Sequence, residues 1–339
     1  MAPRYLLSID GGGIRGIIPA TALVELERTT HRLARDTFSF VAGTSTGALI
    51  AAAVAAGVPA LRIQEIYLTR SREIFSPGWP WNFIKRVLTG SMYSTRRLHD
   101  VLASELGEAR EWTLNHSPID LLITAKRVAD GMPWYFVKDK PGNSGCTGRL
   151  GLVDCVTASA AAPTYFQPWT IRDPASLPPH CQAVGSLVDG GVGVTGNPVY
   201  QACVEAFYYT GGQYKHEETT VISLGTGRFV RQKRPRGLCQ WFKWTLDELL
   251  RSPGEQQTEI VHRHFPEIYF YRCDPELPED VALDDVGSID RLQQYGEQFA
   301  RSVDWERMLK GAVTKCRIHP TNTLWHQYKQ TIVLPATLG

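Results

Sequence analysis

The chain has 339 residues, is 43% hydrophobic and 21% charged, and carries a formal net charge of +2. That length can bury a substantial core. The near-neutral charge removes any whole-protein argument for a nucleic-acid polymer as partner, and no run approaches the roughly 20 apolar residues that cross a bilayer.

The seven cysteines are scattered, with no C-x-x-C pair, which argues against a disulfide framework or a zinc site. The apolar stretch behind Met1 is too short for a secretory signal. A cytoplasmic chain with reduced thiols is therefore expected.

Taken in chain order, Tyr5–Ile9 reads as a short buried strand, and Gly16 to about Arg35 as a helix with Pro19 in its first turn. Phe38–Ala42 is a second strand. The alanine-rich stretch Ala48–Ala56 is a helix that Gly57 and Pro59 stop. Later strands are expected at Ile119–Ala125, Trp134–Val137, Ser186–Val188, Thr220–Leu224 and Ile268–Tyr271. Helices are expected near Thr95–Leu106, Leu152–Ala160, Pro198–Tyr209, Leu238–Leu250 and Ile289–Lys310. Strands alternating with helices predict an α/β fold with a largely parallel sheet. With no internal repeat, and with Asp173–Pro179 and Asp274–Asp285 read as surface loops, residues 1–339 are expected to form one domain.

Three segments carry chemistry. Asp10-Gly-Gly-Gly-Ile-Arg-Gly16 lies between the first strand and its helix, where consecutive glycines let backbone amides converge on an anion at a helix N-terminus. Gly43-Thr-Ser-Thr-Gly47 is a Gly-x-Ser-x-Gly turn between a strand and a small-residue helix, the pattern of a nucleophile elbow at Ser45. Ser45 lies about 34 residues beyond Gly11, one strand–helix–strand unit, so the two strands should be parallel neighbours with both motifs at their carboxyl ends. The third segment, Val188-Asp189-Gly-Gly-Val192, ends a strand in a carboxylate that can take the serine proton or orient a histidine that does so. No histidine lies in a comparable strand-end motif, which favours a Ser45–Asp189 dyad. A carboxylate is a weak base at its usual pKa of roughly 3.9, so the site must raise Asp189 by partial burial or share the work with the glycine-rich backbone donors.

These segments, Leu7-Ser-Ile-Asp-Gly-Gly-Gly-Ile-Arg-Gly-Ile-Ile-Pro-Ala20, Gly43 to Gly47 and Asp189-Gly190-Gly191, resemble those of the patatin-like phospholipase family. Ala158-Ser-Ala-Ala-Ala-Pro-Thr-Tyr-Phe166 and Ile222-Ser-Leu-Gly-Thr-Gly227 are similar to it as well. The resemblance covers about residues 5–230 and implies a three-layer α/β/α fold with a mostly parallel central sheet. It further implies a metal-free and cofactor-free lipid acyl hydrolase of phospholipase A or lysophospholipase type, working through an acyl-enzyme. Ser45 and Asp189 match the catalytic pair, and Gly11, Gly12 and Gly13 the oxyanion hole. Arg15 matches the loop's basic residue, and Gly43, Gly47 and Gly190 support the turns.

Other readings compete. Gly11, Gly13 and Gly16 satisfy a dinucleotide fingerprint, but Gly43-Thr44-Ser45 stands where an acidic ribose ligand is needed. An α/β-hydrolase triad with His262, His264, His319 or His326 needs its nucleophile later in the chain. A non-catalytic phosphate-binding module is the alternative outside enzymology. Pro77–Phe83 and the segment with Trp241, Phe242 and Trp244 read either as packed loops or as a rim touching the membrane of the phospholipid or lysophospholipid substrate. Arg228, Arg231, Lys233, Arg234 and Arg236 read as a solvated loop, a patch for anionic headgroups, or a site for an anionic activator. Some bacterial members of the resembled family are switched on by cyclic nucleotides.

Overall fold

The computed structural model describes residues 4–75, 90–142, 147–171, 185–229, 236–237, 241, 244, 254, 256–310 and 330–333. In chain order the elements are β1 (Arg4–Ile9), α1 (Ile17–Thr30), α2 (Ala34–Thr37), β2 (Phe40–Thr44), α3 (Thr46–Ala56), α4 (Ala60–Ile74) and α5 (Thr95–Glu105). There follow β3 (Asp120–Arg127), β4 (Pro133–Val137), α6 (Leu152–Ser159), β5 (Trp169–Ile171), β6 (Gly185–Asp189), α7 (Val199–Val204) and β7 (Thr219–Leu224). The last are β8 (Tyr269–Glu276), α8 (Ile289–Ser302), α9 (Trp305–Leu309) and β9 (Gln330–Val333).

The sheet runs β5-β6-β3-β2-β1-β7-β8-β9, with β4 also paired to β3. From β3 to β9 every neighbouring pair is parallel, whereas β4, β5 and β6 pair antiparallel. Side chains alternate between two cores, as a period of two requires. Leu7, Val41, Ile123 and Ile222 meet α1, α3, α4, α6 and α8 on one face. Leu6, Phe40, Leu122 and Val221 meet Val199, Ala202, Val261 and Phe265 on the other. Helices thus cover both faces, giving the expected three layers around a mostly parallel sheet.

Several boundaries differ from expectation for local reasons. The first helix stops at Thr30 because His31 takes a left-handed conformation, φ 53°, and Ala34–Thr37 is a separate turn. Val303 turns extended, φ −82° and ψ 111°, and the Asp304 carboxylate caps a new helix by accepting from the Arg307 amide at 3.0 Å. These two residues divide the single helix expected over Ile289–Lys310. Helix α7 ends at Val204 and passes into a wider π turn over Glu205–Tyr209.

The sequence reading missed α4. Its buried side includes Gln64 and Ser71 as well as Ile63, Ile66, Tyr67 and Ile74, so the apolar stripe is broken by polar residues that find partners, such as Gln64 Nε2 donating to Thr21 Oγ1 at 2.7 Å. It also missed β5 and β9. Asp274–Asp285 is not the surface loop expected: β8 extends to Glu276, and Leu277 and Val281 are buried. Asp173–Pro179 and Pro77–Phe83 lie outside the described residues. Among the described residues no helix is long and apolar enough to cross a membrane.

Candidate active site

Parallel pairing of β1 and β2, and the antiparallel register of β6 on β3, bring the three motifs to one edge of the sheet. Ile9 is level with Gly43 and Leu224, Thr44 with Thr124, and Ala125 with Asp189. The residues that follow these strand ends, Asp10, Ser45 and Gly225, therefore emerge beside one another.

Ser45 sits between β2 and α3 with φ 55° and ψ −122°, a conformation disfavoured for a residue with a Cβ. Its geometry is over-determined. Its amide donates to Ser159 Oγ at 2.9 Å, and its carbonyl accepts from the Ala48 amide at 3.0 Å. A Cβ on Gly43 would run into the Gly47 carbonyl, and one on Gly47 into the Ile9 carbonyl. The turn closes only with both glycines in place.

Asp189 ends β6, is 3% exposed, and has its amide bonded to the Ala161 carbonyl at 3.1 Å. Its side chain accepts from the Gly191 amide at 2.7 Å and has Ser45 beside it. Burial raises its pKa to about 6, against the lowering effect of those two neighbours. Gly190 leaves no room for a Cβ against the Thr124 hydroxyl.

The glycine loop departs from expectation at one residue. The Gly11 amide donates to the Gly196 carbonyl at 2.9 Å, and the Asp10 and Ile14 amides donate to Leu224 O at 3.0 Å and Leu283 O at 2.8 Å. With its proton already bonded, Gly11 is not an open donor to an oxyanion. Among the described residues no backbone carbonyl accepts from Gly12 or Gly13. Arg15 is buried, with Nε donating to Gly12 O and a terminal nitrogen to Gly227 O, each at 3.3 Å.

A cavity of about 450 Å³ opens over these groups. Its lining includes the apolar Leu49, Ile66, Ile74, Phe75, Leu98 and Phe166 and also Arg228, Arg272, Asp274 and Trp244. Its size suits a small-molecule or lipid-chain site. Among the described residues no histidine lines it: His264 bonds Tyr200 at 3.1 Å and His262 packs on Phe270, while His319 and His326 lie outside the described residues.

Sequence reasoning missed three polar residues around the site. Ser159 holds the Ser45 amide. Thr226 donates its hydroxyl proton to Gly11 O at 2.8 Å. Buried Arg272 donates to Asp10 at 2.9 and 2.6 Å and to Asp274 at 3.2 Å. Ser159 and Thr226 stand inside segments already noticed, which was their available signal; Arg272 gave none. The basic run also changes character at its start, because Arg228 faces Glu276 at 3.7 Å. Arg231, Lys233 and Arg234 lie outside the described residues. In the aromatic segment, Trp241 is exposed and meets Trp244 edge-on, ring centres 5.5 Å apart; Phe242 lies outside the described residues.

The family model for Patatin-like phospholipase matches residues 7–203, more than half of the chain. The chain belongs to the patatin-like phospholipase family. It is 28% identical to a cGAMP-activated phospholipase of Escherichia coli (strain TW11681), over 88% of this chain and 89% of that protein. To Patatin-like protein 2 of Arabidopsis thaliana it is 31% identical, over 85% of this chain and 79% of the other. Human GIVD cytosolic phospholipase A2 superposes with a TM-score of 0.46 at 11% identity, covering 91% of this chain and 60% of that one. This patatin-like chain therefore has relatives that match most of its length, not only the segment holding the motifs.

Proposed function

We propose that the protein hydrolyses fatty acyl esters of membrane phospholipids or lysophospholipids through an acyl-enzyme on Ser45. The observation that carries this reading is the meeting, at one cavity, of Ser45 in its strained turn with a buried carboxylate whose pKa lies near 6. At neutral pH Asp189 is ionised and still basic enough to accept the serine proton as Oγ attacks the acyl carbonyl carbon. The Gly12 and Gly13 amides stabilise the oxyanion. Collapse of the tetrahedral intermediate breaks the ester bond, and Asp189 returns its proton to the departing alcohol oxygen. A water molecule then repeats the sequence on the acyl carbonyl, giving up its proton to Asp189, and frees the fatty acid and Ser45.

The apolar lining residues Leu49, Ile66, Ile74, Phe75, Leu98 and Phe166 suit an acyl chain. A single domain spanning the chain, acting in the cytoplasm at a membrane surface, is part of the same proposal. Because the similarity to a cGAMP-activated phospholipase extends over 88% of this chain, we further propose that a cyclic dinucleotide raises its activity.

The test is hydrolysis of phosphatidylcholine and lysophosphatidylcholine vesicles by purified protein, with and without cGAMP. Ser45→Ala and Asp189→Asn should each lose at least about 1,000-fold in turnover. Ser45→Ala should also resist labelling by a fluorophosphonate. Full turnover in either variant overturns the dyad, and equal rates with and without cGAMP overturn the activator.

A further inference from the structure

Among the described residues nothing accepts from the Gly12 and Gly13 amides, and both are aimed from behind. In a trans peptide the C=O and the following N–H lie in one plane and point in opposite directions, and no cis bond occurs among the described residues. Whatever grips the Gly11 carbonyl therefore fixes the direction of the Gly12 amide. Arg15 does the same for Gly13, because its Nε and its own amide both donate to Gly12 O, at 3.3 and 3.2 Å.

The Gly11 carbonyl is gripped by the Thr226 hydroxyl at 2.8 Å. Thr226 is 5% exposed and stands in the turn Gly225–Gly227 after β7. That turn is itself anchored: the Gly225 amide donates to Cys273 O at 2.8 Å, and the Gly227 amide donates to Asp274 Oδ1 at 3.0 Å. The approach is close enough that a Cβ on Gly12 would strike the Thr226 hydroxyl. The Gly12 φ of 168° is ordinary extended backbone, so it is this contact that demands glycine there.

We propose that Thr226 is a positioning residue, whose hydroxyl holds the Gly11–Gly12 peptide so that the Gly12 amide faces the acyl carbonyl bound over Ser45. This rests on the hydrolase reading and assigns a task to the Ser223-Leu-Gly-Thr-Gly227 segment, which that reading leaves idle. The hydroxyl acts through the peptide and touches no reacting atom. Its loss should therefore leave substrate binding alone and weaken stabilisation of the transition state.

The test compares Thr226→Val, which keeps the shape and loses the donor, with Thr226→Ser, which keeps the donor. Steady-state hydrolysis of a chromogenic acyl ester by the full chain, with cGAMP present, is normalised to sites counted by fluorophosphonate labelling. The valine variant should lose roughly 10- to 100-fold in kcat with KM unchanged. The serine variant should recover parental kcat to within a few-fold. If valine does not yield folded protein, the Ser and Ala variants, which differ only by the hydroxyl, give the same comparison.

Equal losses in the serine variant and its hydroxyl-free counterpart overturn the proposal, as does a valine variant with unchanged kcat or with a change confined to KM. Ser45→Ala run alongside separates the two levels. If it abolishes turnover while valine at 226 is harmless, only the positioning role falls. If it retains turnover, or if the parent has none, both readings fall.

Discussion

At the scale of single residues, Asp189 is caught between two demands. A carboxylate that is to act as base must be desolvated enough to want a proton, and desolvation is what raises its pKa to about 6. The Ser45 hydroxyl and the Gly191 amide limit that rise. The rate should follow the ionised form: kcat/KM should climb as pH rises through about 6 and then level off, read from initial rates between pH 4.5 and 8.5. A flat profile across that window would rule out Asp189 as the titrating base.

The same shift bears on stability. A group whose folded pKa stands above its unfolded value of roughly 3.9 favours the fold when protonated, and that contribution is lost as pH rises through 6. About two units correspond to about 3 kcal/mol lost by pH 8. Asp189→Asn keeps the shape without the charge, so it should be more stable than the parent at pH 8, by up to about that amount, and no more stable at pH 3.5. Denaturant midpoints at the two pH values measure it.

At the scale of elements, the glycine loop is shaped as much by what presses on it as by its own sequence. Gly13 has φ 57°, and a Cβ there would strike the Leu283 carbonyl, the same carbonyl that accepts from the Ile14 amide. Two costs combine in Gly13→Ala: a left-handed alanine, about 1–2 kcal/mol, and a clash with backbone. Gly211→Ala separates them, because Gly211 has φ 69° with nothing within 4 Å of an added Cβ. Urea unfolding should show Gly13→Ala losing clearly more stability than Gly211→Ala, and turnover should fall only in the first. Equal losses would mean that Leu283 yields freely.

This element also shows where sequence reading succeeds and stops. Strands β1, β2, β3 and β7 announce themselves as apolar runs between turn residues. The glycine loop and the Ser45 elbow were legible because turn chemistry is local and the two are spaced by one crossover, and Asp189 because it ends a strand before paired glycines. That Gly11 is spent on Gly196, and that Leu283 seats against Gly13, depends on chain returning from far away. No local pattern encodes that. Strand β8 illustrates the loss: Arg272-Cys-Asp274 interrupts its apolar character, so its second half read as loop, although both charged side chains are buried.

At the scale of the molecule, those buried charges tie β8 to the glycine loop that follows β1, across β7. Arg272 on β8 holds Asp10, the first residue of the glycine loop, from 262 positions away, and holds Asp274, which fixes the Gly227 turn. It lies beyond residues 7–203, where the family model matches, so the later part of the chain completes what the motifs begin. Desolvation makes such a cluster a weak source of net stability while it is intact, yet breaking it is costly. Arg272→Met leaves Asp10 and Asp274 buried without their shared cation and should cost roughly 3–5 kcal/mol. Adding Asp10→Asn removes one of the two buried carboxylates that Arg272 neutralised, so the double variant should recover part of that loss. Thermal melting of the parent, the single variant and the double variant decides the matter. A double variant no more stable than Arg272→Met would mean that Arg272 stabilises the fold through its packing and not through its charge.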